Sequence, residues 1–255
     1  MFTIKEELLI EGLQVEGNLN WIYSEVWNNF PLTNSLVRAL SLGLIMEMLT
    51  DGLVTVGNID AGELWLGTNG DAVIRIASEW VRDWPDGPSR NATVLGPELS
   101  NTPHGDDVAR SLKVSGGTYS VGIRGDEDED EDDDFPERPI MDQILIEGLD
   151  DWLDPGTVLS AAVTPELTDE ESRQLGLGLV AELLADELVV PGEMGPGWIF
   201  SPWTLSPGDA LERIATTWIT EFPNETLYPG AIAWLELTPK ARRRAENYLK
   251  HEATG

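Results

Sequence analysis

A chain of 255 residues with 41% hydrophobic residues and 10 Trp can bury one large core or two ordinary ones. It has no Cys, which excludes disulfides, thiolate catalysis and Cys-ligated metals. Its 46 acids against 16 bases give a formal charge of −30, which repels nucleic acid and anionic lipid at long range and attracts basic protein.

In chain order, apolar residues at helical spacing predict a helix over Ile4 to Leu13, with Gly12 as a stop. A short second helix is expected from Trp21 to Trp27, ending before Pro31. Thr33 or Asn34 can cap a longer helix to about Thr50, with Leu36, Leu40, Leu44 and Leu49 among its apolar positions. Asp51-Gly52 breaks it. Leu53 to Val56 then reads as a strand, Glu63 to Leu66 as its hairpin partner, and Thr68-Asn69-Gly70 as a turn. Asp71 to Trp84 is the clearest amphipathic helix, with Val73, Ile76, Ala77, Trp80 and Trp84 on one face and Pro85 to Pro88 ending it. A short strand near Thr93 to Leu95 is expected to lead to a last helix from about Pro103.

The same order recurs in the second half. Leu8 to Leu13 matches Ile144 to Leu149 at an offset of 136, and Leu42 to Gly57 matches Leu177 to Gly192 at 135 with 9 of 16 positions identical. Gly70 to Pro85 matches Gly208 to Pro223 at 138 with 8 of 16 identical. Leu99, Thr102, Pro103 and Ala109 align with Leu235, Thr238, Pro239 and Ala245 at 136. Four blocks in one order identify a tandem duplication. The expected organisation is a first unit over 1–115, a flexible acidic linker over 116–139 and a second unit over 140–255. Their net charges are −9, −8 and −13, so each unit is acidic apart from the linker.

The pairs Trp65/Trp203, Trp80/Trp218 and Trp84/Phe222 are expected to be core anchors, because large rings dominate core burial. Asp71 and Asp209 follow a Gly and open an apolar run, the place of a first-turn helix acid. Glu11 and Glu147 read as capping or packing devices. The shared acids Glu47/Glu182 and Asp51/Asp186 need no catalytic explanation.

A helix feeding a Gly-Leu-Val strand, a hairpin and then Leu-x-x-Thr-Pro opening a last helix resembles winged-helix domains. In the second copy those stretches are Leu188-Val189-Val190 and Leu235 to Arg242, with an additional helix (Asp209 to Phe222, as Asp71 to Trp84 in the first copy) before the last strand. The same blocks resemble small acidic proteins of unknown function from high-GC Gram-positive bacteria, along nearly the whole of each repeat. The fold this implies is α+β: two tandem copies of a mostly helical winged-helix-like unit with a small β-hairpin or sheet. Immunity partners of toxins are suspected in such groups, so the resemblance implies that role and no activity.

Catalytic sets are hard to find. The two His are His104, opposite Lys240 in the other copy, and His251, close to the last residue. His-Glu-x-x-His, a phosphate-cradling loop and Gly-x-Ser-x-Gly are all missing. Ser115-Gly116-Gly117-Thr118 reads as tether, and no carboxylate pair can be singled out among 46 acids. Asp126, Asp128, Asp130, Asp132, Asp134 and Glu137 fall on calcium-loop spacing, but Glu131 stands where the turn needs Gly, and Pro136 and Pro139 oppose a following helix. No metal, cofactor or catalytic residue is therefore expected. The candidate partner-binding residues are Asp126, Glu127, Asp128, Glu129, Asp130, Glu131, Asp132, Asp133 and Asp134, read either as a self-repelling spacer or as a tether for a basic surface. Lys240, Arg242, Arg243 and Arg244 would suit phosphates, but His104, Asp106, Asp107 and Val108 replace them in the first copy, so pairing with nearby acids is expected.

The expected function is a non-enzymatic acidic protein-binding module that docks on or neutralises a basic partner, as an immunity protein, antitoxin or DNA mimic would, the partner being a toxin or nuclease-like effector. The alternatives are a winged-helix transcriptional regulator and a structural assembly protein. No apolar run approaches the roughly 20 residues of a membrane span. Met1 to Glu7 lacks the basic-then-apolar order of a signal peptide, so the expected compartment is the cytoplasm.

Overall fold

Reciprocal Thr–acid caps set where several helices begin. The computed structural model describes residues 2–13, 17–58, 63–85, 97–115, 138–162, 167–223 and 227–254. In it Thr3 accepts from the Glu6 N–H while Glu6 accepts from the Thr3 N–H, and helix α1 runs Ile4–Gly12. The same reciprocal box, Thr68 with Asp71, opens α4 over Asn69–Asp83, which is the first-turn place expected of Asp71. Ser206 with Asp209 opens α9 over Pro207–Glu221.

The first half continues from α1 through a two-residue strand β1 (Gly17–Asn18), α2 (Leu19–Asn29) and α3 (Asn34–Thr50). Strands β2 (Val54–Asn58) and β3 (Glu63–Leu64) precede α4, and β4 (Glu98–Asn101) and α5 (Pro103–Ser115) follow it. The second half runs α6 (Ile140–Asp150), α7 (Pro155–Ser160), α8 (Asp169–Ala185), β5 (Val189–Gly195), β6 (Ile199–Pro202), α9, β7 (Trp234–Leu237) and α10 (Pro239–Glu252). The architecture is α+β, with antiparallel sheets of order β1-β4-β2-β3 and β6-β5-β7. A bridge from Leu153 to Leu235 occupies the place of the β1–β4 pairing in the second sheet.

The strand expected at Thr93–Leu95 lies outside the described residues; among those described, β4 at Glu98–Asn101 precedes α5 and was not anticipated. Its Pro-Glu-Leu-Ser-Asn surroundings read locally as turn. Register with β2 (Val56 opposite Leu99) and burial of Leu99 override that preference. The pairing of Gly17 and Asn18 was not legible either, since two residues carry no alternation.

The two halves share one hydrophobic core, built around α3 and α8. Both helices are buried along nearly their whole length, Val37 to Leu49 and Arg173 to Leu184, so neither has a solvent stripe. They approach until their backbones touch. A Cβ on Gly43 would lie 1.6 Å from the Gln174 carbonyl oxygen, and one on Gly178 would lie 1.6 Å from that of Ala39. Gly43 and Gly178 are the same position of the repeat, so the crossing obeys a pseudo-two-fold axis, as an isologous dimer interface does. Helices α4 and α9 repeat the arrangement at Gly70 and Gly208, where a Cβ on Gly70 would lie 1.9 Å from the Gly208 oxygen.

Candidate functional site

The nine carboxylates Asp126 to Asp134 lie outside the described residues. What the described residues bring together is a set of ion pairs at the interface of the halves and an acidic exterior around it.

Arg38 on α3 reaches across the axis to Glu182 on α8, its Nε 2.8 Å from Oε1 and its Nη2 2.7 Å from Oε2. Its Nη1 donates to the carbonyls of Trp84 and Pro85 at the end of α4. The mirror arrangement joins Arg173 on α8 to Glu47 on α3, with Nε and Nη2 at 3.2 and 3.0 Å from Oε2, and Nη1 donates to the Pro223 carbonyl at the end of α9. All four side chains are buried. Glu47 and Glu182 are thus structural, and their cross-axis partners are Arg38 and Arg173. These arginines were missed in the sequence, although the 135-residue offset extended four residues back from Leu42 aligns them. A cation kept in both copies of an apolar helix, nine residues before a kept acid, was the available signal.

The two pairs then diverge. Lys5 on α1 lies 2.5 Å from Glu47 Oε1, 2.7 Å from Glu170 Oε1 and 3.5 Å from Asp51 Oδ2. Burial pushes the Glu47 carboxyl up, but Lys5 and Arg173 outweigh it and hold Glu47 below its ordinary value. Burial also acts to lower the Lys5 ammonium, and Glu47 with Glu170 outweighs that, so its pKa lies above the ordinary lysine value. At Glu182 burial prevails over Arg38 and the carboxyl lies above its ordinary value. Beside Glu182 opens a cleft of about 210 Å³ whose lining includes Met141, Asp142, Asp186 and Arg244. Arg244 bonds Asp142 at 2.6 Å, and Lys240 bonds Asp186, so two members of the basic cluster on α10 do pair with nearby acids. Arg242 and Arg243 are exposed.

The shared Trp residues divide. Trp80 and Trp218 are core. Trp65 and Trp203, and likewise Trp84 and Phe222, are only half-buried and pack against the edge of the core, which corrects the expectation of core anchors for these two pairs. Arg75 lies 3.9 Å over the Trp65 ring and Arg213 lies 4.0 Å over the Trp203 ring, a cation–π pair kept in both copies. Both Trp residues directly follow the second strand of their hairpin, where their N–H groups donate to the Val56 and Pro191 carbonyls of the first strand. Glu11 and Glu147 are exposed and so are not packing devices.

Outside this frame the described surface is acidic. Lys5, Arg38, Arg75, Arg82, Arg110, Arg138, Arg173, Arg213, Lys240 and Arg244 are each in an ion pair. Glu11, Glu63, Asp71 and Asp107 in the first half, and Glu147, Asp150, Asp151, Glu187, Asp209, Glu221 and Glu246 in the second, face solvent. Burial, and then the neighbouring Glu11 and Glu7 carboxylates, push Glu25 above its ordinary value; burial and Glu11 do the same to Glu7. Among the described residues no cluster of His, Asp or Glu has the geometry to hold a metal ion, and no helix is long and apolar enough to cross a membrane. His104 and His251 are exposed and lie on α5 and α10. Comparison with family models, with curated proteins and with solved structures returns no match.

Proposed function

We propose that the chain is a non-enzymatic acidic protein-binding module that docks on a basic partner protein, neutralising it as an immunity protein, an antitoxin or a DNA mimic does. The observation that carries this reading is the way the bases are spent: among the described residues ten are tied to carboxylates, Arg38 and Arg173 in the buried interface, while acids of both halves stay on the surface. Such a surface accelerates encounter with a basic protein and discriminates against acidic ones. Glu7 and Glu25, pushed above their ordinary values by burial and then by neighbouring carboxylates, lie in a crowded negative field that favours an incoming cation.

The winged-helix resemblance fits this use of the scaffold better than it fits DNA reading. Under that resemblance the hairpins β2–β3 and β5–β6 correspond to wings, and the second carries the exposed Trp198 and Ile199 at its tip. Helices α3 and α8, which precede the hairpins and would be the ones to enter a groove, are buried against each other. They have no face to offer a duplex.

The test is affinity capture with the full chain from its native lysate at low and high salt, followed by gel filtration of any captured species with purified protein. The expected result is one basic protein held in fixed stoichiometry and released by salt. Duplex DNA binding near physiological salt, with no such partner, would overturn the reading.

A further inference from the structure

In the first half the Lys5 ammonium fills the space beside Glu47, bounded also by Asp51 and Glu170. The second half repeats that space with Glu182 for Glu47, Asp186 for Asp51 and Ser35 for Glu170, and all three line the cleft of about 210 Å³. Met141 takes the position of Lys5 and also lines the cleft. Among the described residues Glu182 is bonded by one cation, Arg38, where Glu47 is bonded by Arg173 and by Lys5. Arg244 stands at the rim, bonded to Asp142, and comes no nearer than 4.0 Å to Asp186. Lys240 is engaged with Asp186 Oδ1 and the Asp186 carbonyl.

We propose that this cleft is a receptor site for one primary ammonium group, the end of a lysine side chain on the basic partner, seated between Glu182, Asp186 and the Ser35 hydroxyl as Lys5 is seated between Glu47, Asp51 and Glu170. The assignment to a partner lysine rests on the partner-binding reading above. The chemistry selects lysine over arginine. Both Glu182 oxygens already accept from the Arg38 fork, which leaves single lone pairs that suit a compact ammonium and no paired edge for a second planar guanidinium. The unbranched thioether of Met141 offers an adaptable apolar wall for the methylene stem.

The full-length, 15N-labelled chain is to be titrated with Nα-acetyl-lysine N-methylamide and, in parallel, with the uncharged norleucine analogue. Saturable shifts of the Ser35, Glu182 and Asp186 amide signals are expected with the first probe and none with the second. Met141→Lys supplies the ammonium internally, as the first half does. It should abolish those shifts, leave the melting temperature at or above that of the parent, and weaken partner capture at least tenfold. Glu182→Gln, which keeps the shape, should weaken the lysine probe at least fivefold. No shift with the lysine probe in the folded parent overturns the site, whether or not a partner is found, and so does unchanged probe affinity in Glu182→Gln. Shifts that Met141→Lys abolishes with no change in partner affinity overturn the partner lysine as occupant. Failure to capture any basic protein sinks the partner reading, while the titration still decides the cleft.

Discussion

Glu47 and Glu182 occupy the same position of the repeat, are buried at the same crossing and are bonded across the axis by equivalent arginines, Arg173 and Arg38, yet their acidities move in opposite directions. The difference is local. Lys5 stands beside one, and Met141 holds its place beside the other. Taking a carboxylate out of water is costly, and a single guanidinium in contact does not offset that cost at Glu182. A second cation 2.5 Å away reverses the sign at Glu47. The two copies thus share the frame of the interface and differ in whether an ammonium touches the buried carboxylate.

The frame itself should be the most sensitive to change, and symmetrically so. Gly43→Ala and Gly178→Ala each drive a methyl into a backbone carbonyl that cannot move independently. Each is expected to cost about 3 kcal/mol, the upper end of the usual overpacking range, with similar losses in thermal or denaturant unfolding. A mild, unequal effect would mean that the helices separate easily and that the axis is not a real constraint.

The arginines should then break the equality. Arg38→Ala leaves Glu182 buried without a bonded cation and is expected to cost about 3–5 kcal/mol. Arg173→Ala leaves Glu47 with Lys5 and should cost about 1.5–3 kcal/mol less, the worth of a bond to a charged group. Equal losses in chemical denaturation would remove Lys5 from the comparison.

Replacing Lys5 by Met converts the first site into the second. Stability at neutral pH should fall by about 1–3 kcal/mol, and the pH profile should change as well. The Glu47 carboxyl is depressed by folding, so its contribution is present above its ordinary value of 4.5 and lost as pH falls through the lower folded value. The Glu182 carboxyl is raised, so its contribution is complete below 4.5 and declines as pH rises through the folded value. Melting temperatures across acid pH should therefore show less acid-side loss in Glu47→Gln, and a gain towards neutral pH relative to acid in Glu182→Gln. In Lys5→Met the Glu47 behaviour should move towards that of Glu182.

The smallest effects belong to the surface stacks. Arg75→Ala and Arg213→Ala each remove a half-exposed cation–π contact and should cost about 0.5–1 kcal/mol. Near-equal losses in thermal melts are expected. A loss at one position only would show that the stack matters in one hairpin and not in both.

Helix positions were the most legible part of the fold, because capping pairs such as Thr68 with Asp71 and runs such as Val73, Ile76, Ala77 and Trp80 act over a few residues. Strand β4 at Glu98–Asn101 was not legible because its register is chosen by β2, some 45 residues earlier. Trp65 and Trp203 were expected in the core because repetition in both copies looks the same for a buried ring and for a ring under a guanidinium. Of the interface site, Glu47 and Glu182 were visible as shared acids. Their partners lie 126 and 144 residues away in the chain, and no periodicity reaches that far.

By itself the sequence determined the duplication, the α+β class and the acidity of each half, since these follow from repeated residues, local periodicity and counted charges. Only the tertiary structure decided that the copies pack about a pseudo-two-fold axis, that Gly43 and Gly178 let α3 and α8 touch, and that Glu182 lacks the ammonium that Glu47 has. Contact between side chains far apart in the chain depends on how two surfaces meet, and that is a property of the packed pair rather than of either segment.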